Sequence, residues 1–268
     1  MKHSGRIFLW SVAICVFVSQ SIFAVTQEET LEKRIQIDNQ KALQLKNING
    51  NIEINSWDRP EIEILAFKKA HGSSERKVKR LLQEIEITID RSGETIIVET
   101  LLPHQKEESR GFFSALFNIG DYGTAVRFEL KVPSQFDLKI ASTNGNLEIS
   151  GCQGQHDFST TNGNISAKAL KGEVDCQSTN GRIEAELLEF NNGASIDCKT
   201  TNGSIYLTLP ADVRADVNAK TTNGSIDLAY PEKVIHDQSR NSIKASINGG
   251  GPLIWLKTTN GNINIASL

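Results

Sequence analysis

The residues that could do chemistry are few and far apart. His71, His104, His156 and His236 are scattered, and none has a cysteine or acid at the spacing of a metal-ligand set. The Gly-rich stretch 248–251 lacks the Lys and helix pattern that follow a phosphate loop, so it reads as a turn. Calcium-binding β-rolls need Gly-Gly-x-Gly-x-Asp in series, and the chain carries no such series. No Ser-His-Asp or Cys-His set can be assembled from spacing. The sequence therefore predicts no catalytic residues, no metal and no cofactor.

What the sequence does carry is a repeat. Nine of the 20 glycines follow an asparagine. Seven of those pairs sit in one pattern, with alternating apolar residues, a Ser/Thr-rich approach, Asn-Gly, and alternating apolar residues again. The pattern appears first at Asn49. It then recurs at Asn144-Gly145, Asn162-Gly163, Asn180-Gly181, Asn202-Gly203, Asn223-Gly224 and Asn260-Gly261, at intervals of 18, 18, 22, 21 and 37 residues, the last close to two units. Apolar slots fall six and four before the Asn (Leu138 and Ile140, Val174 and Cys176) and three and five after it (Leu147 and Ile149, Ile205 and Leu207). Period-two alternation on both sides of a bend is strand, turn, strand, each strand with one buried face. Asn-Gly tolerates the positive φ that a tight corner requires. A ladder of hairpins would also use Asn-Gly turns. The regular spacing favours an all-β fold, a β-helix-like β-solenoid of 18–22-residue coils in which Asn stacks on Asn and Thr on Thr.

Other residues take their meaning from this frame. Cys176 and Cys198 share the slot four before Asn. Stacking would bring them together for a disulfide in an oxidising compartment, although the same slot also holds Ile140, Phe158 and Leu256 and so reads as core. His156 falls on an inward slot and reads as a core residue. Glu53, Glu148, Glu184 and Asp227 lie four after the Asn, one beyond an inward slot. Mixed with Ser166, Tyr206 and Asn264, they read as a solvated face rather than a polysaccharide-cleaving cleft. Thr beside the turns is accounted for by capping and ladder bonding.

Residues 25–135 read as a β-rich cap over the first end of the stack, with strands at 61–67, 85–89, 95–101 and 125–132. A short helix at 74–83 is capped by Ser74 and turns Val78, Leu81 and Leu82 inward. Residues 136–268 form the repeat, continuous with the cap. The chain stops straight after a repeat strand, which leaves an uncapped coil suited to end-to-end homo-oligomers. Segment 111–120 stands apart: Phe112, Phe113, Leu116 and Phe117 make it either a flap tucked on the core or an exposed partner or membrane contact.

Residues 1–24 have a positive start, an apolar run from Ile7 to Val18 and the small Ala24 at the end. That is a secretory signal peptide, and an uncleaved anchor would want a longer run. The mature chain, without Lys2 and Arg6, has a charge of 27 − 32 = −5, which excludes a nucleic-acid partner held by bulk electrostatics.

The run from Ile52 to Ile54 before Trp57-Asp58, the strand from Phe128 to Pro133, the Thr-Asn-Gly-x-Ile series and the late Ile247-Asn248-Gly249-Gly250-Gly251 together resemble the bacterial domain-of-unknown-function family labelled putative adhesin, a relative of autotransporter-adhesin heads. The resemblance runs from about Leu31 to Leu268 and brings no established catalytic residues. It implies an exported, non-enzymatic protein of the periplasm or cell surface that binds a protein or glycan through its stacked face. The alternative is a structural or sensory scaffold with a membrane-bound regulator as partner, and a polysaccharide-active enzyme comes third.

Overall fold

The computed structural model describes residues 25–103, 123–190 and 193–268. Among the described residues, twenty strands and one short helix follow one another. Eight two-stranded rungs stack in parallel, each contributing one strand to sheet A and one to sheet B. Rung by rung, the A and B strands are β6 (Thr95–Leu101) and β7 (Gly123–Pro133), then β2 (Ala42–Lys46) and β3 (Ile52–Trp57). Next come β8 (Asp137–Asn144) and β9 (Leu147–Ser150), then β10 (Gln153–Asn162) and the first half of β11 (Ile165–Asn180). The second half of β11 pairs with β10 and β13 on sheet A, so this strand turns the corner, with Ala169 and Gly172 at φ 53° and 107°. It shares its rung with β12 (Ile183–Glu189), and β13 (Ile196–Asn202) with β14 (Ile205–Leu209) follow.

The last two rungs exchange places. β19 (Leu253–Lys257) and β20 (Ile263–Ser267) lie between the rung of β13 and β14 and the rung of β15 (Ala215–Lys220) and β16 (Ile226–Ala229). The C-terminal rung is therefore an interior layer and does not form the open end expected from the sequence. The far end of sheet A is closed by a hairpin of β17 (Lys233–Gln238) and β18 (Ser242–Ile247), with β18 antiparallel to β15. This hairpin occupies much of the 37-residue interval, which the spacing had suggested was two coils.

At the other end, β4 (Glu61–Gly72) extends sheet B antiparallel to β7, β1 (Val25–Gln36) adds antiparallel to β4, and β5 (Glu86–Ser92) extends sheet A antiparallel to β6. Helix α1 (Glu75–Glu84) buries Val78, Leu81 and Leu82, as its spacing predicts; Ser74 precedes it without a side-chain capping bond. Buried Glu63 ties this end together, 2.7 Å from Arg34 on β1 and 3.0 Å from Lys131 on β7.

The interior is filled by the inward slots. Ile52, Ile140, Phe158, Cys176, Cys198, Leu256 and Ile263 are all fully buried in one continuous core. Each buried Ile or Leu contributes about 1.5–3 kcal/mol. The corner is held by three parallel ladders. Asn side chains donate along the stack, from Asn144 to Asn49, Asn162 to Asn144, Asn180 to Asn162, Asn202 to Asn180, Asn260 to Asn202 and Asn223 to Asn260, at 2.7–2.8 Å. Thr160, Ser178, Thr200, Thr258 and Thr221 are buried and donate to the glycine carbonyl of the rung before. Third, the glycines themselves stack: a Cβ on Gly163 would meet the Gly145 carbonyl, one on Gly181 that of Gly163, and one on Gly203 that of Gly181. Close approach therefore accounts for most of the glycines. Among the repeat pairs only Gly50 and Gly261, at φ 118° and 155°, take the positive φ expected of the corner.

Candidate functional site

A hollow of about 600 Å³ lies on the outward face of sheet A. It crosses β6, β2, β8, β10 and β11, and its polar lining includes Gln44, Asp137, Lys139, Gln155, Asp157 and Asp175. Parallel in-register strands fix the spacing of these side chains at about 4.8 Å per rung. Asp157, Asp175 and Asp197 are register partners, so three carboxylates stand in one column. Lys139 pairs with Asp157, Lys199 with Asp197, and Gln177 donates to Asp175 at 3.1 Å. Burial raises the Asp175 pKa from its ordinary value, and the charges of Asp197 and Asp157 add to this against Gln177 and Lys199. Glu173 accepts from Ser195 at 2.7 Å beside the column. The arrangement can donate and accept hydrogen bonds along several rungs at a fixed repeat, which suits a polar chain laid across the strands.

This column went unread in the sequence, although the repeat alignment contains it: the three aspartates all stand five before their Asn. The acids that were read, Glu53, Glu148, Glu184 and Asp227, face outward on sheet B, as expected. Glu53 lies between Glu129 and Glu148 in register, with Arg127 paired to Glu129 and Asn55 donating to Glu53 at 2.9 Å. Arg182 pairs with Glu184 and lies over the Tyr206 ring.

His156 sits behind the hollow, 2% exposed, its ring stacked on Phe158 at 5.7 Å. Neither ring nitrogen has a partner of good hydrogen-bond geometry. Burial pushes its pKa down, opposed more weakly by backbone groups of Cys152 and Lys171 and by the charge of Asp137. Unfolding restores the ordinary value of 6.5, so below it the unfolded chain binds the proton that the folded chain refuses. Stability contributed at this position is present above that value and is lost as pH falls through it toward the folded pKa. His156→Leu is expected to flatten this dependence and to add about 1–3 kcal/mol at pH 5.5 by removing a buried unpaired group. Urea unfolding midpoints at pH 7.5 and 5.5 check it.

Cys152, Cys176 and Cys198 are free and buried, with Cys176 and Cys198 register partners. The Cys198 thiol and burial hold Cys176 well above the ordinary thiol range, and burial pushes Cys152 up to about 12. Thiols so protonated and enclosed are poor nucleophiles. Iodoacetamide is expected to label none of the three in the native chain at pH 7.5 and all three in guanidinium, as read by intact mass.

A Ser-His-Asp set does appear at the far end of sheet A, wired in the wrong order for acyl transfer. His236 Nε2 lies 2.7 Å from Ser246 Oγ, which donates to Asp216 at 2.6 Å. The carboxylate thus holds the serine and leaves the imidazole unoriented, whereas a nucleophilic triad needs it on the histidine. Among the described residues no group of His, Cys, Asp and Glu is arranged to hold a metal, and no helix is long and apolar enough to cross a membrane. Phe112, Phe113, Leu116 and Phe117 lie outside the described residues, as do residues 1–24.

The family model that matches residues 17–266 is the Toastrack DUF4097 model. The chain belongs to this family. No curated protein matches it. Among solved structures, a putative cell adhesion protein from Clostridium sporogenes superposes on this Toastrack chain with a TM-score of 0.51 at 13% identity, covering 90% of this chain and 100% of the other. A putative adhesin from Bacteroides fragilis gives a TM-score of 0.42 at 10% identity, over 90% of this chain and 97% of the other. A putative lipid binding protein from Parabacteroides distasonis gives 0.30 at 12% identity, over 89% and 96%. The first of these likenesses shows that the Toastrack stack is a shared fold.

Proposed function

We propose that this protein is an exported, non-catalytic component of the cell envelope that binds a protein or glycan chain on the outward face of sheet A. The observation that carries the reading is the polar hollow over five in-register strands, lined by Lys139, Asp157 and Asp175, with Asp197 and Lys199 continuing the column beside it on β13. A backbone locked by three ladders presents these groups without ordering cost at binding. The names of the fold neighbours agree with a binding role, and the kinship with autotransporter-adhesin heads belongs to the same proposal. The Asp175→Arg variant is expected to bind isolated envelope material about tenfold more weakly than the parent, with unchanged circular dichroism. Equal retention in the pull-down would remove sheet A from consideration. Protease treatment of intact and permeabilised cells separates the two settings. Digestion on intact cells supports adhesion. Protection until permeabilisation supports a periplasmic scaffold working with a membrane-bound regulator.

A further inference from the structure

We infer that the C-terminal rung of β19 and β20 is an exchangeable insert, and that the slot it fills accepts the same rung from a second copy of this chain. The repeat spacing shows the slot to be optional. Asn202 and Asn223 are 21 residues apart, within the 18–22-residue range of other consecutive rungs. Ile196 and Val217 both register on Ile254, and Ile205 and Ile226 both register on Ile263. The rungs on either side of the slot would therefore match each other directly. Instead the chain makes a hairpin, passes the start of β15, and threads its last rung between two earlier ones.

Two features make this rung transferable. Both its edges are satisfied by parallel pairing, and Ile254, Leu256, Ile263 and Ile265 are 0–1% exposed, so the slot selects for this inward pattern together with the Thr258 and Asn260 corner bonds. A second copy carries that pattern by identity. Second, the connection is a hinge: Asn248, Gly249 and Gly250 stand consecutively at φ 48°, 88° and 82°. Asn248 Nδ2 pins it to the Ala211 and Val213 carbonyls at 3.0 and 2.7 Å. The hinge then passes so close to β15 that a Cβ on Gly251 would strike the Arg214 carbonyl. Every contact of the rung is identical in cis and in trans, so the hinge alone decides between them, and a shortened hinge favours exchange.

The test uses the full mature chain. Tyr206 on β14 and Asn264 on β20 are outward register partners, and in-register Cα atoms about 4.8 Å apart lie within disulfide range. The double variant Tyr206→Cys/Asn264→Cys sets the reference by closing in cis. Single variants Tyr206→Cys and Asn264→Cys, each with Gly249 and Gly250 deleted, are then mixed and oxidised. The expected product is a covalent dimer joined between positions 206 and 264, about tenfold more abundant than either like-with-like dimer. Cross-links no more frequent than the like-with-like products would overturn the inference, given closure of the reference. If the shortened hinge prevents folding, the same singles with the native hinge are refolded together at high concentration. Absence of an excess of the 206–264 link there overturns it equally.

Discussion

Gly181→Ala is expected to lower the stability of the protein by about 3 kcal/mol, an unusually large effect for one methyl group on a corner. The methyl would fall well under 3.0 Å from the carbonyl oxygen of Gly163, which is backbone and cannot swing aside. That same carbonyl accepts the Ser178 hydroxyl at 3.0 Å, so moving it to make room breaks a buried bond one rung away. Gly203 stacks on the Gly181 carbonyl in turn, and a shift at one layer passes to the next. Gly93→Ala is the matched control. Gly93 has φ 58° with nothing within 4 Å of a built Cβ, so the substitution meets only the left-handed backbone penalty of about 1 kcal/mol. Guanidinium midpoints of the two variants against the parent give the comparison. Equal losses would mean that backbone conformation, and not the stacked carbonyls, dictates glycine at the corner.

The shape of a rung was legible because a two-sided strand pair with a buried face writes itself into the sequence at period two. Ile165, Ile183 and Ile205 lie one above another, as the repeat requires. Rung order was not legible, since every rung offers the same inward pattern and β19 fits beside β13 or beside β15 on equal terms. The same ambiguity hid the other end, where β6 and β7 lie outside β2 and β3 although they come later in the chain. β1 escaped notice for a different reason. As an edge strand of mixed polarity, running through Glu28, Glu29, Glu32 and Lys33, it buries little beyond Ile35 and leaves no clean alternation. β17 is exposed along its whole length and carries still less signal. The outward acids after the corner were legible, whereas the outward slot five before the Asn mixes Lys139 and Trp255 with Asp157, Asp175 and Asp197, so its carboxylate column carries no uniform pattern.

Because the slot is optional, a chain ending at Pro252 is expected to close its stack instead of unfolding. Removing β19 and β20 exposes the edges of β13, β14, β15 and β16 at once, and unpaired strand edges flanking a core are unstable. Closing the gap restores every kind of bond that the rung supplied: Asn223 can donate to Asn202, and Thr221 to the Gly203 carbonyl that Thr258 holds in the complete chain. Inward, Leu228 would replace Ile265 over Leu207, and Ala219 would replace Leu256 over Cys198, the one poor substitution. The lost methylenes at that layer make the contracted stack less stable than the complete one by about 2–5 kcal/mol. A cysteine pair reads the change directly. Tyr206 and Asp227 both register on Asn264, hence they stand two strand spacings apart in the full chain, about 9.6 Å, beyond disulfide reach. In the contracted chain they become neighbours. Tyr206→Cys/Asp227→Cys is expected to cross-link in the truncated protein and to stay reduced in the complete one. A truncated chain that shows strand-type circular dichroism but no such link would place the missing stability elsewhere, in a frayed β15–β18 segment rather than a closed stack.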